Sequence, residues 1–91
     1  MRKRIQKIVQ EAIDETAQAI SLPQNHFEFR GGTPEQKEGS SNIWIIRLLL
    51  GSKGLSFELA ATEDSPDDSI KQQALRALGG ELRRIGLGDR F

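Results

Sequence analysis

Asn42-Ile43-Trp44-Ile45-Ile46-Arg47-Leu48-Leu49-Leu50 is the most apolar stretch of the chain and holds its only tryptophan. Read as a strand, it sends Trp44, Ile46, Leu48 and Leu50 to one face and Ile43, Ile45, Arg47 and Leu49 to the other, because side chains alternate with period two. The first face is wholly apolar and belongs against helices. The second is apolar except for Arg47. A two-layer domain with helices on one side hides only one face of its sheet, so this second row is surplus to folding and points to a partner or a self-contact.

Downstream, Gly51-Ser52-Lys53-Gly54 leads into Leu55-Ser56-Phe57-Glu58-Leu59-Ala60-Ala61, whose alternation turns Leu55, Phe57 and Leu59 inward. The pair of runs reads as a hairpin. Gly51–Gly54 lacks the Gly-spaced loop ending in Gly-Lys-Ser/Thr and opening a helix that phosphate binding requires, so it reads as a tight turn. Upstream, Gly31–Ser41 has two tandem glycines, Pro34 and a Gly39-Ser40-Ser41 run without periodicity, and is expected to be a flexible loop, either a recognition element or slack. Before it, His26-Phe27-Glu28-Phe29-Arg30 alternates as a half-buried strand with Phe27 and Phe29 inward and His26, Glu28 and Arg30 outward.

Helices flank these strands. Between Lys3 and Ile20, Ile5, Ile8, Val9, Ala12, Ile13, Thr16 and Ile20 recur at offsets of three and four, one stripe of a helix. Ser21-Leu22-Pro23 ends it, since proline disfavours helical geometry in the residue before it. The polar face mixes acids with bases and the stripe lacks aromatic anchors, which favours packing on the sheet over a membrane surface. Ser65-Pro66-Asp67-Asp68 opens a second helix with a capping serine, proline at the first position and acids in the first turn. Its stripe is Ile70, Ala74, Ala77 and Leu78. Gly79-Gly80 is expected to end or rephase it, because a rigid continuation carries Glu81 close to the stripe of Ile70 and Ala74, with room for a further turn from Glu81 to Ile85. The tail Gly86–Phe91 is expected to fray.

Ninety-one residues make a single domain with one core. Thirteen basic and thirteen acidic residues cancel, so any electrostatic partner must be met by a local patch. The absence of cysteine excludes disulfides, thiol nucleophiles and cysteine-bound metal, and no apolar run is long enough for a membrane span or a signal-peptide core. A soluble, cytoplasmic protein is the expectation.

No catalytic constellation stands out. His26 is the only histidine, on the exposed side of a strand with no nucleophile in the same element, and reads as a surface residue. Glu63, Asp64, Asp67 and Asp68 lack the alternate spacing and central glycine of a calcium loop, and two of them sit where a helix N-terminus favours negative charge. Neither a cofactor nor a metal is expected. Basic residues gather at the chain ends; Lys3, Arg4, Lys7, Lys71, Arg83 and Arg84 converge into a nucleic-acid patch if the two helices lie side by side. Ile43, Ile45, Arg47 and Leu49, bordered by polar residues of neighbouring strands, have the apolar centre and polar surround of a protein interface. The same row is alternatively covered by the Gly31–Ser41 loop or the tail.

The order helix, strand, strand, strand, helix resembles the double-stranded-RNA-binding domain, in which a three-stranded antiparallel sheet carries both helices on one face. Asp67-Asp68-Ser69-Ile70-Lys71-Gln72-Gln73-Ala74-Leu75 is similar to that family's Lys-Lys-x-Ala-Lys-x-x-Ala-Ala stretch, with Lys71 and Ala74 in register. The family's two leading lysines, which sit over RNA phosphates, are here Asp67 and Asp68, and its Gly-Pro-x-His loop has no counterpart in Gly31–Ser41. The resemblance implies an α+β, α-β-β-β-α two-layer sandwich whose RNA face is disabled, as in protein-binding or dimerising members. A ferredoxin-like or other three-stranded α+β arrangement uses the same five elements. The expectation is a non-enzymatic module that associates with itself or another protein through the outer sheet face, with nucleic-acid binding as the alternative.

Overall fold

The computed structural model describes residues 1–19 and 29–86. Two helices and four strands run in the order α1 (Arg2–Ala19), β1 (Phe29–Gly31), β2 (Glu35–Gln36), β3 (Ile43–Leu50), β4 (Lys53–Ala60), α2 (Asp67–Arg84). All strand pairs are antiparallel and β3 is central. Its inner row, Trp44, Ile46, Leu48 and Leu50, is buried together with Leu55, Phe57 and Leu59 of β4. The α1 stripe from Ile5 to Thr16 and Ile70, Ala74, Leu78 and Leu82 of α2 are buried with them, so both helices cover one face of the sheet. The expected strand His26–Arg30 survives as β1 from Phe29, which is half-buried against the core; His26, Phe27 and Glu28 lie outside the described residues, as do Ile20 and Ser21-Leu22-Pro23.

Four strands replace the expected three because one edge strand is split. β1 pairs with β3 from Phe29↔Leu50 to Gly31↔Leu48, and β2 resumes on the same side at Glu35↔Ile45 and Gln36↔Trp44. Three residues, Gly32, Thr33 and Pro34, therefore face only Ile46 and Arg47, a bulge. Pro34 has no N–H for a ladder, and Gly31 and Gly32 take φ of 87° and 93°, closed to most side chains. A Cβ on Gly32 would stand 2.9 Å from Leu48 Cδ2 and 3.5 Å from Ile13 Cδ1. This lets the edge press close to the core, and Gly32 N still donates to Arg47 O at 2.9 Å. The stretch expected as a loop, Gly31–Ser41, is thus mostly bonded backbone. Lys37 N donates to Ile43 O at 2.8 Å, and a turn closes with Ser40 N donating to Lys37 O at 3.1 Å.

Two expectations for α2 are corrected. Ser65 does not cap it; its Oγ accepts from Thr62 N at 2.9 Å, and Pro66 holds the cap position without a side-chain hydrogen bond. Gly79-Gly80 does not end it either. The helix runs through to Arg84 because Leu82, fully buried beside Leu78, supplies burial worth about 2 kcal/mol, enough to offset a glycine penalty of about 1 kcal/mol per residue. As geometry requires, the continuation brings Glu81 onto the edge of the stripe, where its side chain is 19% exposed and bound to Arg84 Nε at 2.5 Å. Of the tail expected to fray, Gly86 follows the helix and Leu87–Phe91 lie outside the described residues.

Helix α2 also closes the β4 edge. In the β3–β4 ladder the backbone groups of Gly54, Ser56, Glu58 and Ala60 point away from β3, as the bond from Ala61 N to Asn42 O fixes the alternation. Gln73 takes both groups of Ala60, accepting from its N–H at 3.0 Å and donating to its carbonyl at 2.9 Å. Arg84 donates to Gly54 O at 2.8 Å. An edge pinned at both ends by side chains resists pairing with another strand, and the opposite edge is short, bulged and proline-bearing.

Candidate functional site

The outer face is built on the odd residues of β3. Ile43 and Ile45 are half-buried, Arg47 is exposed, and Leu49 is 49% exposed. Directly opposite Ile45 stand Glu35 on β2 and Glu58 on β4; opposite Leu49 stand Arg30 and Gly54. Two ion pairs cross this surface. Arg47 donates to Glu35 at 2.9 Å, and Lys37 donates to Glu58 at 2.9 Å. Lys37 sits opposite Ile43 and Glu58 opposite Ile45, so the second pair passes over β3 and lays a lysine stem across the isoleucines. The Gly31–Ser41 stretch therefore does cover part of the row, through Lys37. With all four members of these pairs 45% exposed or more, each pair contributes only about 0–1 kcal/mol.

Towards Leu49 this cover ends. A shallow hollow of about 470 Å³ is lined by Arg30, Gly31, Arg47, Leu49, Gly54 and Ser56 together with Leu48 and Leu55 of the buried rows. The expected interface residues Ile43, Ile45, Arg47 and Leu49 thus share one face, as the alternation required. Glu35, Lys37 and the hollow were missed, because the stretch carrying β2 has no periodicity of its own and its strand exists only through pairing with β3.

The basic residues distribute differently. Lys3, Arg4, Lys7 and Lys71 line a groove between α1 and the start of α2, but Glu11, Asp67 and Asp68 line it with them. Arg4 is occupied there: its guanidinium meets Asp67 at 2.6 Å and donates to the carbonyls of Thr62, Glu63 and Ser65, tying α1 to the loop before α2. Lys71 donates to Glu15 at 2.8 Å, a bond that raises its pKa above the usual 10.5; the negative charges of Glu15, Glu11 and Asp68 act in the same direction and partial desolvation against it. Arg83 and Arg84 lie about 18 Å further along α2 at 1.5 Å per residue, with Arg84 held by Glu81 and Gly54. The six residues do not share one patch.

Among the described residues no three His, Asp or Glu side chains come together in a way that would hold a metal ion, and Asp67 of the acidic run is engaged with Arg4. His26 lies outside the described residues. No helix among them is long and apolar enough to cross a membrane. Compared with family models, with curated proteins and with solved structures, the chain matches none.

Proposed function

We propose that the chain is a non-enzymatic interaction module that associates with another protein molecule, of its own kind or a different one, through the outer face of its sheet. The observation that carries this reading is the row Ile43, Ile45 and Leu49, left on the face that no helix covers while both edges of the sheet are blunted. The two helices already bury the inner row completely, so folding has no use for four large residues on the other side. Ion pairs around an apolar centre orient a partner and suppress wrong ones without contributing much affinity.

The test is Ile45→Lys. The new ammonium would lie between Glu35 and Glu58, the residues directly opposite, so the folded chain gains partners for the charge while the apolar centre is lost. Wild type is expected to show concentration-dependent sedimentation or to retain a purified partner, and Ile45→Lys to lose that association with its thermal midpoint nearly unchanged. Association that survives Ile45→Lys intact rejects the outer face.

Nucleic-acid binding is the second reading, and the exposed Lys3 and Lys7, which make no ion pair among the described residues, support it. On the resemblance to double-stranded-RNA-binding domains, the two lysine positions that would lie over phosphates are Asp67 and Asp68, and Asp67 holds Arg4. Duplex RNA titrated at low and physiological salt separates the readings: steeply salt-dependent binding lost in Lys3→Glu/Lys7→Glu supports this one.

A further inference from the structure

We infer that β4 is a self-pairing strand held shut by α2: once the side chains of Gln73 and Arg84 are withdrawn, the β4 strands of two copies of this chain join edge to edge, antiparallel about Phe57. This is a surface separate from the outer face.

The sequence of β4 reads nearly the same in both directions. From Gly54 to Ala60 it runs small, Leu, polar, Phe, polar, Leu, small. Two such strands laid antiparallel with Phe57 on a two-fold axis set Gly54 opposite Ala60, Leu55 opposite Leu59, Ser56 opposite Glu58 and Phe57 opposite its own copy. Apolar residues then meet apolar ones across the strands, and a two-fold interface requires this kind of self-complementarity. The backbone has the matching parity. The N–H and C=O groups of Gly54, Ser56, Glu58 and Ala60 point away from β3, and in this register each of the four faces another of the same set, as hydrogen-bonded pairs need.

Side chains of α2 close this ladder at its ends. Two residues of a hydrogen-bonded antiparallel pair exchange both their bonds, and Gln73 does the same with Ala60, accepting from its N–H at 3.0 Å and donating to its carbonyl at 2.9 Å. The Gln73 amide thus stands where one residue of a neighbouring strand would. Arg84 takes the Gly54 carbonyl at 2.8 Å. Because Gly54 of one copy faces Ala60 of the other, the two clamps block the same pair from both sides. Between them, the outward groups of Ser56 and Glu58 meet no protein group among the described residues. A ladder confined to those two residues is too short to offset the freedom lost on association. Gln73 and Arg84 therefore decide which surface of the chain can associate.

The experiment compares Ile45→Lys with Ile45→Lys/Gln73→Ala/Arg84→Ala by sedimentation equilibrium, so that any outer-face contact is weakened in both alike. The expected result is self-association at least about tenfold tighter in the triple variant. Amide exchange should show Ser56 and Glu58 gaining protection as concentration rises, with Phe57, whose N–H points to β3, protected throughout. Adding Ser56→Pro is expected to abolish the gain, since it removes a donor that points away from β3 and takes no bond from the β3–β4 ladder. No gain on opening the clamps overturns the inference. So does a gain that Ser56→Pro leaves intact, because the contact then lies elsewhere. If Phe57 also loses protection, the triple variant has unfolded, and Gln73→Ala alone in the same background decides: protection of Ser56 and Glu58 that rises with concentration supports the inference, and its absence overturns it. Wild-type association that Ile45→Lys fails to weaken rejects the outer face and leaves this comparison unaffected.

Discussion

Ile45 and Ile46 are chain neighbours of identical chemistry, and they sit in opposite worlds. Ile46 is fully buried in the core that both helices and the sheet share, whereas Ile45 lies half-buried beneath the crossing of Lys37 and Glu58, with Glu35 and Glu58 at its sides. The inner row is completed by the chain itself. The outer row is only bordered by it, with charges whose net contribution to stability is small. Stability and recognition are thus divided between two faces of one strand, and substitutions along that strand should separate them.

The largest contrast is between truncations. Ile46→Ala is expected to cost about 2–5 kcal/mol in urea denaturation, because it removes buried methyl groups and leaves a cavity. Ile45→Ala at the half-buried position is expected to cost about 1 kcal/mol or less. Equal costs would break the comparison and mean that the outer row is part of the folded core.

A second contrast tests the glycines beside the two faces. Gly32→Ala forces a Cβ into Leu48 at 2.9 Å on a residue with φ of 93°, and is expected to destabilise by about 1–3 kcal/mol. Gly54→Ala meets no atom within 4 Å and is expected to be neutral or to stabilise by up to about 1 kcal/mol. Gly80→Ala sharpens the same point on α2. Its Cβ also meets nothing within 4 Å, and the helix passes through it unbroken, so a gain of about 0.5–1 kcal/mol in denaturation midpoint analysis is expected. A loss at Gly80 would show that its backbone freedom is used.

These contrasts also mark where the sequence was legible. The rows of β3, the stripe of α1 and the inward set Leu55, Phe57 and Leu59 follow from periodicity alone, because burial on one face writes itself into spacing. The hairpin turn was readable from its glycine, and Gly51 takes φ of 63°. The split edge strand was not readable. Glu35 and Gln36 have no apolar pattern, and their pairing is imposed by β3 and by a bulge that needs Gly32 and Pro34 together. The continuation of α2 through Gly79-Gly80 escaped local rules because the burial of Leu82 in the core offsets two poor helix formers. Of the candidate site, the four β3 residues were legible and their ion-pair surround was not, since Lys37 meets Glu58 only after the sheet has formed.

The smallest effect concerns the helical layer, where charge joins elements that the core already holds together. Lys71 on α2 donates to Glu15 on α1, and that hydrogen bond foremost raises the Lys71 pKa above 10.5. A lysine whose pKa is raised by folding adds stability that is fully present below its unfolded value and is lost as pH climbs through its folded value. The thermal midpoints of wild type and Lys71→Gln should therefore differ by a small, constant amount at neutral pH and converge only at alkaline pH, above the usual lysine value of 10.5. Comparing the two proteins cancels the titration of the other lysines, which both share. A gap that persists undiminished above that range would assign the role of Lys71 to its stem, packed in the groove beside Ile8, and not to its charge. A large gap at neutral pH would be more damaging, because it would mean that α1 and α2 depend on an exposed ion pair and that the buried inner row is not what holds the helices to the sheet.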